Sequence, residues 1–114
     1  MSQQVQSVHE AVVEEQNQQD PNFSTVKSPN PENPEALKKG ISVAQKTKSN
    51  LVLGSDPDCD RIGVAVRGKD GKFQCLTGNQ VATMLAEYRL LVAKRKKILH
   101  DEGTNNVAIL KTFV

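Results

Sequence analysis

Hydrophobic residues come in short clusters along this chain, and their spacing changes from one cluster to the next. The first, Val8-His9-Glu10-Ala11-Val12-Val13, predicts a strand over residues 8–14, with the Gln-rich residues 1–7 as a loose tail. A stretch without periodicity follows, punctuated by Pro21, Pro29, Pro31 and Pro34. Proline fixes φ and restricts the residue before it, so this stretch is expected to be extended and irregular. Asn33-Pro34-Glu35 then reads as a helix start: a cap, a proline that loses no hydrogen bond, and an acid at the positive end of the dipole. Leu37, Ile41 and Ala44 share one face of that helix, and Lys46-Thr47-Lys48-Ser49-Asn50 ends it.

The spacing then turns strand-like. Leu51-Val52-Leu53-Gly54 is an unbroken apolar run, as expected of a strand buried on both faces. Ile62-Gly63-Val64-Ala65-Val66 places Ile62, Val64 and Val66 on one side of a second strand. Lys69-Asp70-Gly71-Lys72 is a hairpin signal of the type I′ kind, returning the chain as a strand over residues 73–76. Thr77-Gly78-Asn79 opens a second helix running to about Lys97, with Val81, Met84, Leu85, Tyr88, Leu91 and Val92 on its apolar face and Met84 and Tyr88 in the core. Val107-Ala108-Ile109-Leu110 predicts a last strand. Strand, helix, strand, hairpin strand, helix, strand is the order of an α/β layered domain with a mixed sheet.

Composition narrows the reading. A chain of 114 residues holds one domain, spanning residues 8–114 beyond the tail, and with 4% aromatics and no Trp its core is aliphatic. The formal charge of +2 does not point to nucleic acid, and Lys94-Arg95-Lys96-Lys97 reads as a solvated helix end. No apolar run approaches the roughly 20 residues of a membrane span, so no membrane partner is expected. The N-terminal residues carry no signal-peptide pattern, and Cys59 and Cys75 form no CxxC pair, which together suggest reduced thiols and a cytoplasmic protein. His9 and His100 stand alone, without metal-ligand spacing.

The chemistry concentrates in Asp56-Pro57-Asp58-Cys59-Asp60-Arg61. In an extended segment alternate side chains point one way, so Asp56, Asp58 and Asp60 can converge. Like charges held together repel unless a cation neutralises them. Oxygen-only ligands select Mg²⁺, Ca²⁺ or Mn²⁺ and argue against zinc. Cys59 points away and is not a ligand; beside carboxylates its thiolate is disfavoured. Arg61 can offset excess negative charge and can bind a phosphate through its planar fork. A calcium EF-hand also begins D-x-D-x-D, but its Gly and bidentate Glu positions hold Arg61 and Arg67 here. A solvated acidic turn without an ion is the plainer alternative, and a stand-alone Ca²⁺ or Mg²⁺ module another.

The same loop, followed by Ile62-Gly63-Val64-Ala65-Val66, resembles the metal loop of the α-D-phosphohexomutases, the phosphoglucomutase and phosphomannomutase family. Pro21-Asn22-Phe23-Ser24-Thr25-Val26 and Ser28-Pro29-Asn30-Pro31-Glu32-Asn33-Pro34-Glu35 resemble the longer phosphoglucomutase and phosphopentomutase branch, and Leu76-Thr77-Gly78-Asn79-Gln80 and Lys111-Thr112-Phe113-Val114 also fit. The resemblance implies a three-layer α/β/α fold with a mixed sheet, the second of four domains, here truncated by an opening strand and helix. It implies Mg²⁺ held by Asp56, Asp58 and Asp60, with Arg61 on the phosphate. It also implies a reaction interconverting hexose 1-phosphate and 6-phosphate through a phosphoserine and a bisphosphate. The phosphoserine motif and the sugar-phosphate grips belong to the family's other domains, so no catalytic residue is expected in this chain and the chain alone is expected to be inactive. Pro57 and Cys59 depart from the commoner Asp-Gly-Asp-Gly-Asp-Arg pattern without removing a ligand. An exposed edge and apolar face would favour self-association.

Overall fold

Asn33 opens the first helical segment: its side chain accepts from the Glu35 N–H at 3.1 Å, satisfying one of the donors a helix start leaves free. In the computed structural model, which describes residues 10–96 and 108–110, a 3₁₀ turn over Pro34–Leu37 runs straight into helix α1, Lys38–Thr47. The helix stops where Lys48 takes a left-handed φ of 58° and returns its N–H to the Ala44 carbonyl. Arg67 reinforces this end. Its Nε donates to the Ser49 carbonyl and its Nη2 to the Ala44 carbonyl, both at 3.0 Å, placing a cation at the negative end of the dipole. The same guanidinium lies 4.8 Å from the centroid of the Phe73 ring.

Among the described residues three strands follow: β1 (Leu51–Ser55), β2 (Ile62–Arg67) and β3 (Phe73–Leu76), in the order β1-β2-β3. Both pairings are antiparallel, with Val52 opposite Ala65 and Ala65 opposite Cys75. Strand period two sends Val52, Ala65, Phe73 and Cys75 to one face. There they meet Leu37, Ile41 and Ala44, and this helix-on-sheet layer is the core.

The α/β class is therefore seen, with departures in detail. Among the described residues the sheet is antiparallel throughout rather than mixed. The expected strand over residues 8–14 does not form over its described part. Residues 10–13 run without regular structure into a 3₁₀ turn, Glu14–Gln16, closed by the Gln16 N–H on the Val13 carbonyl. The apolar cluster there is too short to commit the backbone, and Glu15 instead pairs with Lys39 of α1. In the expected last strand, residues 108–110 take no regular structure, while Val107 lies outside the described residues, as do Val8 and His9.

A further departure concerns β1. Only Val52 among its apolar side chains is buried; Leu51 and Leu53 are 52% and 59% exposed. They share a face with Ile62, turned away from α1, so an unbroken apolar run does not here mean burial on both sides.

The β2–β3 turn departs as well. Only Gly71 has positive φ, at 80°, and Asp70 does not, so the turn is not type I′. The Gly71 N–H closes on the Gly68 carbonyl at 3.0 Å and Gly68 N–H on the Lys72 carbonyl at 2.7 Å. This is the longer hairpin in which a left-handed glycine follows the turn.

The chain divides into two compact units, Met1–Thr77 and Gly78–Val114. The second contains helix α2, Gly78–Arg95, which starts where the sequence predicts. None of its residues is buried, and Met84 and Tyr88, expected in the core, are exposed. Helical spacing defines an apolar face but not what covers it. Lys97, the expected helix end, lies outside the described residues. No helix among the described residues is long and apolar enough to cross a membrane.

Candidate metal centre

The register pair Ser55 and Ile62 closes a hairpin between β1 and β2, and residues 56–61 form its loop. The loop is not extended. The Cys59 N–H donates to the Asp56 carbonyl at 3.0 Å, and Cys59 turns the chain with a φ of 58°. The carboxylates come together because of this turn, not by the alternation of an extended segment. Asp56, Asp58 and Asp60 each offer an oxygen, and these oxygens lie within 4.8 Å of one another. Cys59 faces elsewhere, with Sγ 3.9 Å from the Ser55 hydroxyl. The structure thus gathers all three predicted carboxylates and leaves the thiol out.

The three are not equivalent. Asp56 is almost wholly buried at 3% exposure, while Asp58 and Asp60 face solvent. Arg61 holds Asp56 from two directions: Nε donates to Oδ2 at 2.6 Å and the backbone N–H donates to Oδ1 at 3.1 Å. The same Nε is 3.6 Å from Asp60 Oδ1. Burial works to raise the Asp56 pKa, but the two Arg61 donors and a hydrogen bond with Asp60 outweigh it and bring the carboxyl to about 2. Asp60 moves the other way, raised above its ordinary value by its hydrogen bond with Asp56 and by the charge of Asp58. That opposition is what a shared anionic site produces when one member is already neutralised.

An all-oxygen set with one buried, strongly ionised member suits a hard divalent ion. Asp56 would be the fixed ligand, and Asp58 and Asp60 the exposed ones.

Two supporting residues escaped the sequence reading. A Cβ on Gly63 would overlap the Pro31 carbonyl oxygen, so the chain from the proline-rich stretch packs on β2 just past the loop. Pro31 is buried there. The available signal was an isolated glycine inside a strand pattern, which marks a close backbone approach.

Comparison with known proteins places the chain by its sequence. Residues 1–71 match the family described as phosphoglucomutase/phosphomannomutase, alpha/beta/alpha domain II. The phosphoglucomutase of Staphylococcus aureus strain USA300 is 40% identical over 79 residues, covering 69% of this chain and 14% of the relative. The phosphoglucomutase of strain N315 is 39% identical over the same coverage. The chain thus spans 14% of the length of the curated relatives it matches. No solved structure matches it. A family match over more than half of the chain, carrying the Asp-rich loop whole, means that this chain belongs to the phosphoglucomutase/phosphomannomutase family, to its alpha/beta/alpha domain II.

Proposed function

We propose that this chain is the metal-binding domain of an enzyme that interconverts hexose 1-phosphate and 6-phosphate. The observation that carries this is the convergence of Asp56, Asp58 and Asp60 on one hairpin loop with Arg61 against them. Mg²⁺ is the proposed ion; when bound it would supply charge neutralisation and alignment at a phosphoryl group. Asp56 would keep its orientation through the Arg61 backbone N–H, while Asp58 and Asp60 close the ligand set from the solvent side. Arg61 supplies a planar donor fork suited to phosphate. The phosphoserine that passes its phosphate to the sugar, through a bisphosphate, is proposed to come from another domain of the enzyme. The sugar phosphate is the proposed partner and the cytoplasm the proposed compartment.

Mn²⁺ binding followed by electron paramagnetic resonance tests the site. The chain should bind Mn²⁺ saturably, and replacing Asp56, Asp58 and Asp60 together by Asn should abolish it. Unchanged binding by the triple variant would sink the assignment. Mutase assay of the 114-residue chain alone should show no turnover; clear turnover would contradict the division of labour between domains. Tight, selective Ca²⁺ binding with a large structural change would favour a stand-alone binding module instead.

A further inference from the structure

Arg61 is attached to Asp56 by two bonds of different character. The backbone N–H bond to Oδ1, at 3.1 Å, is built into the loop and carries no net charge. The Nε bond to Oδ2, at 2.6 Å, brings a full positive charge onto the same carboxylate, and leaves it 3.6 Å from Asp60 as well. The guanidinium therefore lies against two of the three carboxylates whose oxygens gather within 4.8 Å. Its own side chain is 47% exposed, so it can swing toward solvent without disturbing the core.

A divalent ion on the same oxygens and a guanidinium at hydrogen-bond distance from them are like charges at close range. The two attachments respond differently to that repulsion. The backbone bond stays, because its position is set by the turn; the side-chain bond is the one free to break. We propose that the Arg61 guanidinium is an internal counter-cation of the Asp56, Asp58 and Asp60 set, which gives up Asp56 Oδ2 when a divalent ion is bound and turns outward as a phosphate-binding fork. Occupancy of the carboxylates and availability of the arginine are then one event. While Nε is held on Asp56 Oδ2 the fork is short of that donor, and phosphate meets a weaker site. This inference rests on the metal-binding reading above.

The opposing possibility is a fixed buttress. A carboxylate oxygen has two lone pairs, so Oδ2 could serve Nε and an ion together. Nuclear magnetic resonance on the unaltered chain separates the two. The Arg61 Nε–H signal, identified by its loss in Arg61→Lys, should be shifted and slow to exchange without metal. Saturating Mg²⁺ should move it to the position of a free arginine while the Arg61 backbone N–H stays protected. Inorganic phosphate should then shift the Nε–H signal only in the presence of Mg²⁺. In parallel, Arg61→Gln should bind Mn²⁺ about tenfold more tightly, since a neighbouring positive charge has been removed. An Nε–H signal unmoved at Mg²⁺ saturation, or equal or weaker Mn²⁺ binding by a folded Arg61→Gln, would overturn the exchange and leave the metal site standing. Absence of saturable Mn²⁺ binding by the unaltered chain would overturn both.

Discussion

The carbonyl oxygen of Pro31 rests against the Cα of Gly63, in space that any Cβ would need. Pro31 belongs to the proline-punctuated stretch, and Gly63 is the second residue of β2, immediately past the Asp-rich loop. The contact braces one leg of the hairpin that carries the carboxylates.

Gly63→Ala should therefore destabilise the protein by about 1–3 kcal/mol, the ordinary cost of forcing an extra carbon into a packed site. Urea unfolding gives the value, and Mn²⁺ affinity should fall in the same variant because the end of the loop is displaced. Wild-type stability in Gly63→Ala would mean that the backbone accommodates the methyl group freely.

Acidification should reveal Asp56. Its carboxyl titrates at about 2 in the folded chain, below the ordinary 3.8. A depressed pKa contributes stability that is complete above the ordinary value and disappears as pH falls through about 2. Asp60, raised, has the opposite sign: its ionisation opposes folding, and protonation relieves that opposition. In metal-free buffer near neutral pH, Asp56→Asn should lower the melting temperature and Asp60→Asn should raise it. The Asp56→Asn deficit should shrink steadily on approach to its folded pKa; a deficit independent of pH would mean that Asp56 acts through shape and not charge.

Arg67 joins three parts of the first unit: the C-terminal end of α1, strand β2 and the ring of Phe73 on β3. Arg67→Met keeps much of the side-chain volume and removes two charged hydrogen bonds to carbonyls. A loss of about 2 kcal/mol or more is expected in chemical denaturation, given the usual strength of such bonds. Lys48 and Ser49 amide protection should drop with it, as the helix end loosens; unchanged protection would argue that the left-handed cap suffices alone.

Leu51, Leu53 and Ile62 lie together on the face of the sheet turned away from α1. Exposed aliphatic side chains in register favour association. Sedimentation of the chain should show concentration-dependent dimers or larger species, diminished by Leu53→Ser. A monomer at every concentration would remove the expectation.

Features written in neighbouring residues are legible in the sequence. The Asn33 cap, the strands around the Asp-rich loop and the start of α2 each follow from local chemistry, and each is where the spacing put it. The three carboxylates were legible as a group, although the turn that gathers them was not, since nothing in Pro57 or Cys59 announces a left-handed φ at a non-glycine residue. Errors came where the outcome depends on a distant partner. The apolar run of β1 could not say that α1 covers one side only, and Val12-Val13 could not say that Glu15 would pair with Lys39. The grip of Arg61 on Asp56 lies between these cases: five positions apart, the two residues invite a pair, but only the folded loop commits both Asp56 oxygens to it.

The Ser55 and Ile62 pair has a practical meaning for protein engineering. All three carboxylates and the arginine lie between two residues that face each other across an antiparallel ladder. The donor set is thus contained in one uninterrupted segment with both ends at a standard strand spacing. Such a segment carries its own turn and its own donors into another hairpin, but its brace lies outside it: the receiving hairpin would have to keep a glycine at the position of Gly63 with a backbone carbonyl against it.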